Sequence, residues 1–274
     1  FVQAENYAAW INSKAIAIAT RQQVIDYVLR QPRLYISGSQ VRTVFNPMVK
    51  ELSELTLDLG SNFPVRIDWP LAKPVNDQGS LGSWVVDFPM RSNLGTLHFK
   101  QVLIPRSADT STTLLPASQA TIIKQGFKFI GERYGWGHDY NARDCSGFVS
   151  EVYQSMGILL PRNTGDQAKS ALFDREIIIA ETTRSERIAR LKKLQIGDLV
   201  FIPGHVMMVI GHDDYGPWVI HDSHKTGFVL NGEYFNFPTN SVSVTPLLSM
   251  AFSRGKLYLD SITAIQHIIP RRIP

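Results

Sequence analysis

The sequence predicts two parts, an all-β region followed by an α+β domain, and three features carry that expectation. The chain has 274 residues, more than one core of the commonest size, roughly 100–150 residues, would use. From Arg33 to about Pro105 short runs of β-formers are separated by Gly, Pro, Asn and Asp turns, as in a small barrel or sandwich. Beyond residue 118 helical stripes come first and alternating apolar runs follow, the order of helices packed on an antiparallel sheet.

Taken in order, "NYAAWINSKAIAIAT" reads as the tail of a small β unit. "TRQQVIDYVLRQP" then reads as a helix with Val24, Ile25 and Val28 on its apolar face and Pro32 as its stop. The strand candidates of the front region are "RLYIS", "VRTVF", "FPVRI", "SWVVDF" and "GTLHFKQVLI", and the polar "RSADTSTTLLPASQ" reads as a linker. After it, residues 122, 123, 127 and 130 form a helical stripe that Gly135 is expected to end. "CSGFVSEVYQSMG" places Phe148, Val149, Val152, Tyr153 and Met156 on one helix face. A charged helical piece near 181–193 precedes the strands "GDLVFI", "HVMMVIG", "PWVIHDS", "KLYLDS" and "TAIQHII".

Composition excludes several function classes. Hydrophobic residues make up 44% and charged residues 19%, an ordinary globular balance. No apolar run approaches the roughly eighteen residues of a membrane span. Lys and Arg outnumber Asp and Glu by 28 to 24, a net charge of +4 with a pI near 9.1. That excess suits an anionic neighbourhood such as a cell envelope, but no basic run interleaved with aromatics points to nucleic acid. The chain opens at Phe1 without Met or a charged-then-apolar leader, so the expectation is a removed leader or a fragment of a longer chain.

Cys145 is the only cysteine, so it has no disulfide partner within the chain. As a lone cysteine it reads first as a small core residue. Its setting argues for a nucleophile. It falls in the first turn of its helix, where unpaired N–H groups lower a thiol pKa, with Asp144 as N-cap and Gly147 leaving room for a substrate. A nucleophilic thiol needs a base and a group to orient it. In a hairpin symmetric about Asp214, residue numbers pair when they sum to about 428. His205 and His221 then share one face, a diagonal step apart. His212, His224, Asp213, Asp214 and Asp222 lack the tight spacing of a metal site, so no metal is expected.

These residues resemble the NlpC-type cell-wall cysteine peptidases, which share a papain-like core. The matching blocks come in family order: "RYGWGH", "DCSGFV", "GILLPRNTGDQ", "LQIGDLVFI", "HVMMVIG" and "VIH". The resemblance implies Cys145 as nucleophile, His205 as general base and His221 as the third polar residue. It implies that the Tyr134 hydroxyl helps bind substrate or the oxyanion, with the Cys145 N–H as a second donor. Trp136, Asp144, Ser146 and Thr164 fall where relatives line the substrate groove. His138 stands where the family has the second Gly of a Gly-Gly pair. Asn163 stands where relatives that bind a free L-alanine amine carry a carboxylate, so intact peptidoglycan stems come into range.

The front region is similar to bacterial SH3-like domains. The expected layout is the end of one SH3-like unit with a linking helix over 1–32, an SH3-like β-barrel over 33–106, a linker over 107–117 and a papain-like α+β peptidase domain over 118–274. The activity implied is hydrolysis, without cofactor, of the γ-D-glutamyl to diamino acid bond of peptidoglycan stem peptides, the diamino acid being meso-diaminopimelate or lysine, through a thioester. The place implied is the cell envelope, periplasmic or secreted. Rival readings are an amidase or acyltransferase on the same core, and a non-catalytic wall-binding protein.

Overall fold

Thr20 begins the first ordered helix because its hydroxyl accepts from the Gln23 N–H while the Gln23 side chain accepts from the Thr20 N–H. This helix, α1 (Arg21–Leu29), belongs to the first of two compact units in a computed structural model that describes residues 1–269. Unit one comprises Phe1–Leu115 with Gln154–Gly157, and unit two comprises Pro116–Tyr153 with the chain from Ile158 onward. The apolar face expected on α1 is not buried: Val28 is 56% exposed and Val24 47%. Tyr27 docks the helix instead. Its ring stacks on Phe99 at 4.8 Å and its hydroxyl donates to the Asp87 carbonyl at 3.0 Å. Arg30 and Arg66 together neutralise the fully buried Asp87 carboxylate.

The front strands are short and antiparallel. Arg33–Ile36 pairs with Asn62–Pro64 on one side and with Thr110–Ser111, inside the stretch read as a linker, on the other. Gln40–Arg42 pairs with Thr56–Asp58, and Ser83–Arg91 forms a long ladder with Leu97–Pro105. Leu34, Ile36, Val41, Leu57, Val86 and Ile104 fill the core between them. No closed barrel is found among the described residues: the strands make separate ladders, with the Val65–Val86 bridge and the Val44 N–H to Leu103 carbonyl hydrogen bond running between them. Apart from the one long ladder the strands are pieces of two to four residues cut by Pro and Gly, which do not sustain the continuous staggered pairing that closure requires.

Unit two is built on a six-stranded antiparallel sheet. Its order is Asp174–Ile177, Ala264–His267, Leu199–Ile202, His205–Asp213, Gly216–Ser223 and Ser241–Pro246. Helices α2 (Gln119–Gly126) and α3 (Cys145–Gln154) contribute Ile122, Phe148, Val149, Val152 and Tyr153, all wholly buried, and Gly126 lies against Met208 and Ile220 of the sheet. Met207, Val209, Val219, Leu247, Met250 and Ile265 fill a second core. Helices α4 (Thr164–Lys169) and α5 (Arg184–Leu191) complete the unit, α5 with a Thr183–Glu186 capping box. With its helices and antiparallel sheets the molecule is α+β.

Two element boundaries differ from expectation. Helix α2 stops at Gly126, well before Gly135, and tightens into a 3-10 turn that buries Phe129 while Phe127 and Ile130 stay exposed. In "KLYLDS" only Lys256–Leu257 is strand. Asp260 accepts from the Leu257 N–H at 3.2 Å and is itself held by Arg184, so Tyr258–Ser261 coils into a 3-10 turn.

Candidate active site

Asp144 starts α3. Its Oδ1 accepts from the Gly147 N–H at 2.8 Å, and its carbonyl takes the first helical bond from Phe148 N–H at 2.9 Å. Burial works against the carboxylate charge, but Arg162 and the Gly147 N–H hold Asp144 below the usual carboxylate range. Cys145 follows in the first turn, 5% exposed. Its Sγ has Thr164 Oγ1 at 3.6 Å and the Gly204 carbonyl at 4.0 Å as hydrogen-bond partners, neither of them an imidazole nitrogen. The depressed thiol expected from a helix start is not found. Burial raises the thiol pKa most and Asp144 adds to it, outweighing the Thr164 hydroxyl and the Val206 and Ser146 N–H groups that lower it.

The two histidines stand on neighbouring strands. Met208 pairs with Ile220 and Val209 with Val219, so the sum of 428 holds at their end of the hairpin. Nearer the turn the sum becomes 429, and a bulge between Val209 and Gly211 absorbs the difference. His205 Nε2 lies 2.8 Å from His221 Nδ1, and His221 Nε2 lies 3.0 Å from Thr245 Oγ1. The Thr245 hydroxyl donates to Met250 Sδ at 3.1 Å. Its oxygen therefore accepts from His221 Nε2–H, His221 Nδ1 accepts from His205 Nε2–H, and His205 Nδ1 is left with a lone pair. Burial lowers the His205 pKa to about 4 and pushes His221 well below its ordinary value, so both rings are neutral at pH 7.

The remaining expected site residues divide into two groups. Tyr134 is raised above the usual phenol range by burial and by the nearby Cys145, Asp144 and Asp222, and it packs edge-on against Trp136 at 5.0 Å. Ser146 Oγ donates to Asp144 Oδ1 at 3.2 Å and accepts from Arg162 at 3.0 Å, and Thr164 places its hydroxyl on the sulfur. Asn163 is turned away, its amide donating to Asp166 Oδ2 at 3.0 Å. Among the described residues no three His, Cys, Asp or Glu side chains gather as a metal-ligand set. Asp213 is taken by the Tyr215 and Gly216 N–H groups and by the Trp218 indole, and His212 by the Leu194 carbonyl.

A cysteine at a helix start beside a strand that opens on a bonded histidine pair is a constellation that can be compared across proteins. Residues 131–247 match the family model described as the NlpC/P60 family. The chain carries an NlpC/P60 domain. Over 247 residues it is 25% identical to the γ-D-glutamyl-L-lysine dipeptidyl-peptidase of Bacillus cereus, an alignment covering 89% of this chain and 60% of that one. Over 122 residues, 44% of this chain and 18% of the relative, it is 33% identical to the probable endopeptidase p60 of Listeria seeligeri. The chain thus spans less than two thirds of the first relative's length and less than a fifth of the second's. Among solved structures, an NlpC/P60 endopeptidase from Photobacterium damselae subsp. piscicida superposes with a TM-score of 0.72 at 15% identity, over 94% of this chain and 58% of that one. An NlpC/P60 family protein from Bacillus cereus superposes at 0.57 and 21% identity, over 91% and 67%. Both likenesses are of fold.

Within the NlpC/P60 domain, a polar network that sequence reasoning did not assemble anchors the start of α3. Arg143, 1% exposed, binds both Glu151 oxygens and reaches Glu132 Oε1 at 3.0 Å. Arg162 donates to Asp144 Oδ2 at 2.8 Å and to His138 Nδ1 at 3.0 Å. Arginine has no acceptor, so His138 Nδ1 must accept and its Nε2–H must give to Glu151 Oε1 at 3.2 Å. His138 therefore links the two ion pairs. Arg143 beside the cysteine and Glu151 two turns on were visible in the sequence, but pairing them needs the folded loop. Thr245 carried no local signal.

Proposed function

We propose that this chain is a cysteine endopeptidase of peptidoglycan stem peptides, cutting the bond between γ-D-glutamate and the diamino acid. The observation that carries the reading is the ordered hydrogen-bond series Thr245, His221, His205 across three neighbouring strands, with the carbonyl of Gly204, the residue before His205, 4.0 Å from the Cys145 sulfur. The 25% identity to a γ-D-glutamyl-L-lysine dipeptidyl-peptidase supports the bond type.

His205 Nδ1 takes the thiol proton as Sγ attacks the γ-carbonyl carbon. The carbonyl oxygen becomes an oxyanion, which the Cys145 N–H and the Tyr134 hydroxyl stabilise. The raised phenol keeps its proton and so remains a donor. As the C–N bond breaks, the imidazolium returns its proton to the leaving amine, and a thioester joins Cys145 to the glutamyl group. His205 then draws a proton from water, whose oxygen attacks the thioester, and the thiol is regenerated with release of the carboxylic acid. Trp136, Asp144, Ser146 and Thr164 line the substrate groove. Asn163, tied to Asp166, offers no charge to a free N-terminal amine, so stems still linked to glycan remain substrates. The front unit would act as an SH3-like wall-binding module, and the enzyme would work in the cell envelope on muropeptides or intact peptidoglycan.

Incubation with L-Ala-γ-D-Glu-meso-diaminopimelate or muropeptides is expected to yield new free amines by mass spectrometry. Cys145→Ala is expected to abolish that product while keeping the fold. Cleavage that survives in the folded Ala variant would sink the assignment.

A further inference from the structure

A groove of about 380 Å³ adjoins the sulfur through Thr164 and Gly204, and Tyr134, Asp144 and Ser146 do not line it. Thr164 and Gly204, the two residues that hydrogen-bond Sγ, form one end of it. Gly204 immediately precedes His205, so a leaving group that takes its proton from that imidazole departs over this end. The floor is apolar, from Ile177, Ile202 and Ala264, and Lys169 and Arg175 line the wall.

Among the described residues no carboxylate lines the groove. Strand alternation explains why: on Asp174–Ile177 the side chains of Arg175 and Ile177 face the groove, while Glu176 turns to the other side and pairs with His267 and Arg190. Arg175 Nη1 is held on the Lys169 carbonyl at 2.9 Å, a neutral partner that fixes the guanidinium without cancelling its charge. Among the described residues neither cation has an ion-pair partner. An aliphatic stem on the floor with a carboxylate at the wall satisfies these groups, whereas a bare ammonium would meet two like charges.

We propose that this groove holds the amine-side residue of the substrate and selects a diamino acid whose side chain carries a second carboxylate, as in meso-diaminopimelate, over L-lysine. The proposal rests on the peptidase reading above and assigns its leaving-group site.

The test compares kcat/KM for three tripeptides sharing L-Ala-γ-D-Glu: one ending in meso-diaminopimelate, one in its side-chain amide and one in L-lysine. The wild type is expected to favour the free carboxylate over each of the others by about tenfold, the value of one charge-assisted hydrogen bond. In Arg175→Gln and in Lys169→Gln that ratio is expected to shrink toward one, and in Lys169→Glu to turn in favour of L-lysine. Equal or reversed preference in the wild type, or ratios unmoved in all three variants, overturns the groove assignment and leaves the peptidase reading standing. Failure to cut any of the three overturns both.

Discussion

Cys145 sits at a helix start whose N–H groups lower a thiol pKa, yet burial and the Asp144 carboxylate raise it further than those donors bring it down. On the proposed mechanism the resting site holds a neutral thiol and a neutral His205, and the proton moves as the substrate binds. Alkylation of Cys145 by iodoacetamide is expected to keep accelerating as pH rises past about 9. A rate that levels off below pH 7 would indicate a preformed thiolate instead. Thr245 acts one residue further out, as a positioning residue for the imidazole pair. Thr245→Val removes the acceptor for His221 Nε2–H and is expected to lower kcat by about tenfold or more with little change in KM. Thr245→Ser, which keeps the oxygen, is expected to restore most of it. A purely structural role would move both variants together with the melting temperature.

The loop 136–141 shows at the scale of an element why the start of α3 is built as it is. Gly137, His138, Tyr140 and Asn141 all have φ between +56° and +73°, a region that side chains occupy at a cost. That backbone brings the His138 ring against Gly147, where an added Cβ would come within 2.2 Å of His138 Cε1. Gly147→Ala is therefore expected to expel His138 from between Glu151 and Arg162, loosen Asp144 and lower kcat/KM at least about tenfold. An Ala variant of full activity would refute that coupling. The same region shows what local sequence does and does not encode. The placement of Cys145 on a helix start and of both histidines on one face followed from periodicities of 3.6 and 2, and a face assignment survives a shift of turn centre when a bulge restores the count, as it does here. The exposed stripe of α1, the early end of α2 and the chain of contacts from Glu132 through Arg143, Glu151 and His138 to Arg162 depend on tertiary packing. No window of neighbouring residues holds them.

Across the whole molecule, groups buried in an unfavourable charge state govern the pH range of stability. His205, at about 4 in the folded protein, and His221, lowered still more decisively, bind protons in the unfolded chain first. Stability therefore falls as pH drops from about 6.5 toward 4, by on the order of 1–3 kcal/mol for His205, and the lowered His221 acts in the same direction. Asp222 has the opposite sign. Burial, with Glu132 and Asp144 nearby, raises it to about 8, and both its oxygens are buried without a partner. The folded state holds a proton there that the unfolded chain releases near pH 4, so its contribution is lost as pH rises toward 8. Asp222→Asn is expected to flatten that decline in thermal melts taken from pH 5 to 9. A wild-type melting temperature constant from pH 4 to 9 would contradict both assignments.

On the proposed mechanism Cys145 carries the glutamyl group as a thioester. Acid quenching of L-Ala-γ-D-Glu-meso-diaminopimelate turnover, followed by mass spectrometry of the peptide containing Cys145, tests it directly. That peptide is expected to gain the mass of the L-Ala-γ-D-Glu acyl group, and the adduct is expected to be absent in Cys145→Ala. Turnover with no adduct on Cys145, or an adduct on a different residue, would contradict it.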